Sequence, residues 1–163
     1  PSTPALNRRE MVKHGSEDEP QYQCSDIELQ REGNTYTVDT VETLQAMSPD
    51  ATYVLLIGND AYQKLHIWHR IDDLVRMLNI AVINRDTASI QRNPSLPEDI
   101  LTYIDDVTQL YQGQIGLCYF ISAELAQISS TSLRAMIANG DSVLECLPQR
   151  VLEYIQTQQL YIS

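Results

Sequence analysis

Tyr53-Val54-Leu55-Leu56-Ile57 is a continuous apolar run closed by Gly58-Asn59-Asp60, and its reading decides the fold. A run so short and unalternated suits a strand covered on both faces. Two more of the kind follow: Ile80-Ala81-Val82-Ile83, closed by Asn84-Arg85, and Leu117-Cys118-Tyr119-Phe120-Ile121. Around and between them apolar residues recur at helical spacing, as Val41, Leu44 and Met47, as Ile71, Leu74, Val75 and Leu78, and as Ile100, Ile104, Val107 and Tyr111. Strands taking turns with amphipathic helices predict an α/β fold, a parallel sheet flanked by helices. Toward the C-terminus Leu133, Met136 and Ile137 mark a helix ended by Asn139-Gly140, and Pro148 at a first helical position opens another carrying Val151, Leu152 and Ile155.

The whole chain, residues 1–163, fits one ordinary domain. Eleven Lys and Arg against 22 Asp and Glu give a net charge of -11, which argues against a sequence-independent grip on nucleic acid, because that grip needs a basic face. No apolar run approaches the ~20 residues of a membrane span. Cys24, Cys118 and Cys146 are odd in number and far apart, so they assemble neither a redox pair, a zinc site nor a disulfide framework. Free thiols predict a reducing compartment, the cytoplasm. Composition assigns no oligomeric state.

Two stretches read as loops. Glu17-Asp18-Glu19, between Gly15 and Pro20, is expected to be a solvated turn without chemistry. Arg85 to Pro97, with two prolines among Asp, Thr, Ser and Asn, is expected to be an irregular surface connection rather than a lid.

Chemistry in such a sheet gathers at the carboxyl ends of the strands. Four segments belong there. In Asn34-Thr-Tyr-Thr-Val-Asp-Thr40 an extended stretch turns into a helix with Thr37 as its N-cap, and the free N–H groups of that end suit an anion such as a carboxylate; an ordinary capping segment is the alternative. In Ile57-Gly58-Asn59-Asp60-Ala61, Gly58 permits close approach of a ligand and Asp60 can accept hydrogen bonds from a hydroxyl, or simply cap the next helix. Leu65-His66-Ile67-Trp68-His69-Arg70 holds the sole Trp, placed to stack on a flat ring or to fill core. His66 and His69 are three apart, but no third ligand accompanies them and no metal site is assigned. The strongest segment is Ile128-Ser129-Ser130-Thr131-Ser132-Leu133-Arg134. Hydroxyls crowd its helix N-terminus, and Arg134 lies about a turn along with a planar fork that matches phosphate oxygens, so a polyphosphate site is expected.

Ile128-Ser-Ser-Thr-Ser-Leu-Arg134 resembles the ISST-x-x-R motif of the nucleotidyltransferase superfamily. With Tyr36-Thr-Val-Asp-Thr40, Ile57-Gly-Asn-Asp-Ala61, Trp68-His-Arg70, Ala81-Val-Ile-Asn-Arg85 and Leu147-Pro before Val151 and Tyr154-Ile155, the ordered set is similar to bacterial nicotinate-nucleotide adenylyltransferase from about Asp26 to Tyr161. The resemblance implies a Rossmann-like fold. It also implies AMP transfer from ATP, accompanied by Mg²⁺, to nicotinate mononucleotide, with deamido-NAD and pyrophosphate as products. Tyr36, Thr37 and His69 would receive the nicotinate carboxylate, Trp68 would stack on the pyridine and Asp60 would contact the mononucleotide. Gly58, Ser130, Thr131 and Arg134 would serve ATP.

The family also carries an H-x-G-H signature whose histidines stabilise the triphosphate, and these 163 residues contain none. Arg8 or Arg9 with Met11 resembles an Arg-x-x-Met helix start that follows the signature. The expectation is therefore a member without its first strand-loop-helix unit, of at least ~30 residues, with catalytic residues unassigned and these residues alone inactive. The rival readings are a pantetheine-phosphate adenylyltransferase-like enzyme, and a non-catalytic remnant that binds nucleotide or a partner.

Overall fold

The computed structural model describes residues 3–84, 91–123 and 128–162. They form two compact units, Gly33–Ala126 and a second made from Pro1–Glu32 with Gln127–Ser163.

The first unit is built on four strands, β1 (Val54–Gly58), β2 (Asn79–Ile83), β3 (Thr102–Ile104) and β4 (Leu117–Ile121), in the order β1-β2-β4-β3. Every neighbouring pair is parallel. The three apolar runs are strands as expected, yet only β2 is buried along nearly its whole length. In β1, an edge strand among the described residues, Leu56 is 59% exposed. Ile57, Ile80, Val82 and Cys118 join Val38, Leu65 and Leu74 in the main core.

Helix α2 (Thr37–Met47) leads into β1, so its N-terminus lies toward the strand's carboxyl end. Val38 and Val41 are its buried residues. Between β1 and β2 come α3 (Asn59–Tyr62), a 3-10 turn at Leu65–Ile67 and α4 (Ile71–Leu74). The helix expected to continue to Leu78 tightens after α4 into i to i−3 hydrogen bonds, Arg76 N–H to Asp73 O and Met77 N–H to Leu74 O. Leu74, Val75 and Leu78 are buried all the same.

The expected helix over Ile100 to Tyr111 is absent. Thr102-Tyr103-Ile104 is β3, and Val107–Tyr111 is a 3-10 turn capped by Asp106, which accepts the Thr108 N–H at 2.9 Å. β-branched and aromatic residues next to Gly116-Leu117 favour pairing with β4, and tertiary pairing overrides a chance helical spacing. The connection before it is not a plain surface loop where it is described. Residues 85–90 of that expected loop lie outside the described residues, but Asn93 and Leu96 are buried. Asn93 Nδ2 donates to the carbonyls of Tyr62 and Gln63 at 2.9 and 3.0 Å, and its N–H donates to Tyr62 Oη at 3.1 Å.

The second unit holds α1 (Ala5–Ser16), α5 (Ser130–Asn139) and α6 (Gln149–Thr157). Gly140 ends α5 at φ 77°, a left-handed conformation that suits glycine. Pro148 is the cap rather than the first helical residue, and Val151, Leu152 and Ile155 are the face α6 buries. Glu17 and Asp18 of the acidic run pair with Arg150 at 2.6 and 3.4 Å. Thr3 Oγ1 donates to Tyr161 Oη at 3.0 Å. No helix among the described residues is long and apolar enough to cross a membrane.

Candidate active site

The two groups of expected site residues belong to different units. In the sheet unit, Tyr36 is extended at φ -112° and ψ 145° and occupies the cap position of α2, so Thr37 is the first helical residue and not the cap. The Tyr36 side chain itself makes no capping hydrogen bond. The Tyr36 ring lies on the His69 ring with centroids 4.1 Å apart and planes inclined by 31°. This contact joins two segments far apart in the chain that the resemblance assigns to one carboxylate.

Trp68 is half-buried and packs against the main core, so it keeps an exposed part while serving the core with the rest. Gly58 closes β1 and precedes α3, and Asp60 is exposed in the first turn of α3. A Cβ built on Gly58 meets nothing within 4 Å, and its φ of -73° is open to any residue. Neither backbone shape nor crowding inside the protein demands glycine there, and the open face leaves room for a ligand.

Arg70, read only as part of a motif, proves to be the hub of this region. Its Nη2 donates to Glu42 Oε1 at 2.7 Å, its Nε donates to Asp73 Oδ2 at 2.8 Å, and its Nη1 lies 3.7 Å from Asp39 Oδ1. Glu42 and Asp73 raise the guanidinium's pKa further above its ordinary value, the bond to Glu42 most of all. The Arg70 backbone is left-handed at φ 53°, uncommon for a side chain of this size.

In the helical unit the serines sort themselves. Ser129 caps α5 by accepting the Ser132 N–H on its Oγ at 3.0 Å, while Ser132 Oγ accepts the Ser129 N–H at 3.1 Å. Two hydroxyls are thus engaged in the cap. Ser130 and Thr131 remain exposed in the first turn, with Arg134 Nη2 donating to Thr131 Oγ1 at 3.4 Å. Ser130 and Arg134 line a cavity of about 390 Å³ whose walls include Met11, Leu133, Ile137 and Val151.

Two buried groups carry structure rather than chemistry. Asn79 Nδ2 donates to the carbonyls of Leu110 and Gln114, both at 2.8 Å, and its Oδ1 accepts the Leu117 N–H at 3.0 Å. A polar residue opening an apolar run signals this bracing role, though its partners are distant in sequence. Cys118 is buried, and desolvation pushes its thiol up to about 12, which keeps it neutral and unreactive.

Comparison with known proteins places this architecture. The cytidylyltransferase-like family pattern matches residues 1–136. The chain is 33% identical over 162 residues to a probable nicotinate-nucleotide adenylyltransferase of Hydrogenovibrio crunogenus, covering 99% of this chain and 76% of that protein. It is 31% identical to the probable enzyme of the same name in Oceanobacillus iheyensis, covering 98% of this chain and 72% of the relative. The fold superposes on Plasmodium falciparum nicotinic acid mononucleotide adenylyltransferase, solved in complex with NaAD, with a TM-score of 0.62 at 16% identity over 98% of this chain and 75% of that one. With the motifs in order and the parallel sheet in place, the chain belongs to the cytidylyltransferase-like family and, within it, to the nicotinate-nucleotide adenylyltransferases.

Proposed function

We propose that this protein serves the transfer of AMP from Mg²⁺-bound ATP to nicotinate mononucleotide, giving deamido-NAD and pyrophosphate. A phosphate oxygen of the mononucleotide forms a bond to the α-phosphorus of ATP, the bond from that phosphorus to the β-bridging oxygen breaks, and pyrophosphate leaves with the electron pair. No side chain need form a covalent intermediate. The protein's part is to position the reactants and stabilise charge.

The observation that carries the reading is the Tyr36–His69 stack, which brings the N-terminal end of α2 beside the Trp68-His69 segment. In this reading the backbone N–H groups at Tyr36 and Thr37, with His69, receive the nicotinate carboxylate. The exposed part of Trp68 stacks on the pyridine ring. Asp60 accepts from a hydroxyl of the mononucleotide, and Gly58 lets the nucleotide pass close to the strand end. On α5 the Ser130 and Thr131 N–H and hydroxyl groups, with the Arg134 fork, bind ATP phosphate oxygens.

Calorimetry on the chain tests this. Nicotinate mononucleotide and a non-hydrolysable Mg–ATP analogue should each bind. Binding of the mononucleotide without the ATP analogue would leave a nucleotide-binding remnant, and binding of phosphopantetheine in its place would identify the other adenylyltransferase. Having no His-x-Gly-His, these 163 residues alone are expected to release little pyrophosphate, and joining a segment that bears the signature should restore turnover.

A further inference from the structure

The region proposed to receive an anion carries an excess of negative charge. Asp39 lies in the first turn of α2 beside Tyr36 and Thr37, Glu42 follows one turn on, and Asp73 comes from α4. Three carboxylates here would oppose the carboxylate of a bound pyridine ring while leaving its neutral carboxamide counterpart almost untouched, since Coulomb repulsion acts on net charge.

Arg70 meets all three, at 2.7 Å to Glu42, 2.8 Å to Asp73 and 3.7 Å to Asp39. It is also the residue directly after His69, and its left-handed backbone at φ 53° and ψ 44° turns the chain from the Trp68-His69 segment into α4. A non-glycine residue in that conformation is held there by its surroundings, here the Asp73 and Leu74 N–H groups on its carbonyl together with the three carboxylates around its guanidinium. The side chain therefore fixes where His69 sits against Tyr36 and, at the same time, cancels part of the field at the end of α2.

We propose that Arg70 is a positioning residue that sets the preference of this site for the anionic over the neutral pyridine ring, through its cage of Asp39, Glu42 and Asp73. Arg70 touches no substrate atom in this account. The inference rests on the proposed pyridine site.

The test is calorimetric titration of the 163-residue chain with nicotinate mononucleotide and with nicotinamide mononucleotide, read as the ratio of the two dissociation constants, with melting temperature measured on every variant. Arg70→Met should lower the preference for the acid form about three- to ten-fold, the range expected from one partly solvated charge. Arg70→Lys should restore most of it, because the charge returns without the fork. Glu42→Gln removes a negative charge while its amide oxygen can still accept from Arg70 Nη2, so the guanidinium stays in place and the ratio should move the other way, toward the acid; it carries the test if Arg70→Met fails to fold. An unchanged ratio in a folded Arg70→Met, or in Glu42→Gln, overturns the role of Arg70 while leaving the pyridine site standing. Equal affinity of the unsubstituted chain for both mononucleotides, or affinity for neither, removes the pyridine-site reading and this inference with it.

Discussion

The sheet unit and the helical unit hold their candidate residues in opposite ways. In the sheet unit the side chains that flank the site are bonded to one another before any ligand arrives: Tyr36 lies on His69, Arg70 sits among three carboxylates, and Asn93 ties the end of α3 through Tyr62. Beneath them is a deep core in which Tyr62, Leu65, Leu74, Ile80 and Val82 are fully buried. In the helical unit α1 and α5 bury no residue, and Ser130, Thr131 and Arg134 stand exposed on the first turns of a helix that caps itself with Ser129 and Ser132. The difference teaches where specificity and affinity should come from. A pre-ordered cluster discriminates by shape and field, since it pays little ordering entropy on binding, whereas an open helix end gains affinity only when phosphate oxygens recruit its donors.

The largest effect expected is on the fold of the sheet unit. Asn79→Ala removes three hydrogen bonds to the backbone at Leu110, Gln114 and Leu117, in a residue with no exposed surface. Stranding those buried groups should cost about 3 kcal/mol, roughly one for each. Denaturant unfolding measures it. A loss no larger than that of an exposed substitution in α5 would break the contrast between a deeply braced sheet unit and a thinly packed helical one.

Arg134→Ala comes next, and it should act on binding rather than folding. Losing the charge-assisted fork should weaken Mg–ATP analogue binding by about 2 kcal/mol, roughly thirty-fold in Kd. Arg134→Lys should recover only part, because a point charge lacks the bidentate geometry. The melting temperature should hardly move, since the side chain is exposed and, among the described residues, donates only to its own neighbour Thr131. Normal binding with a lowered melting temperature would make Arg134 a structural residue and cancel the polyphosphate reading of α5.

Which of these features could be read in the sequence follows from how local their causes are. β1, β2 and β4 were legible because each is a single apolar run, and the Ser129–Arg134 turn because a capped helix start is decided within six residues. β3 was not, since Ile100, Ile104, Val107 and Tyr111 fall at helical spacing by accident while the pairing of Tyr103 with Cys118 that forms the strand lies far along the chain. The bracing by Asn79 and the reach of Arg70 to Glu42 were equally hidden, because those partners lie some thirty residues away in the chain. The family resemblance assigns His69 and Tyr36 to one carboxylate, while their ring-on-ring contact is visible only in the fold.

Trp68→Ala should have a smaller and mixed effect. The half-buried ring packs on the core with one part and keeps another exposed, so the variant should weaken nicotinate mononucleotide binding by about 1 kcal/mol and lower the melting temperature as well. Trp68→Phe separates the two. It should keep most of the packing and part of the stacking, leaving the mononucleotide affinity between those of the parent and the alanine variant. If both variants weaken ATP analogue binding as much as mononucleotide binding, the ring is acting through general stability and the pre-ordered pyridine half loses its aromatic floor.

The smallest effect concerns how each unit holds a carboxylate. In the helical unit the bond from Arg150 keeps the Glu17 carboxyl below its ordinary 4.5. In the sheet unit the Thr108 backbone N–H, helped by the Thr108 hydroxyl, keeps Asp106 below its ordinary 3.8. A carboxyl whose folded pKa is depressed adds stability that is present above its unfolded value and lost as pH falls through its folded one. Both contributions should therefore fade on acidification below about pH 4.5, Glu17 first. Salt tells them apart. The Glu17–Arg150 pair is an exposed contact between side chains distant in sequence, and at 1 M salt the ~3 Å screening length should erase it, whereas the bond from a backbone N–H two residues away should persist. Glu17→Gln should thus flatten the acid limb of the melting temperature at low salt and change nothing at high salt, while Asp106→Asn should flatten it equally at both. If Glu17→Gln proves salt-independent, the helical unit is not held at this point by an ion pair, and the contrast drawn between the two units narrows to their cores.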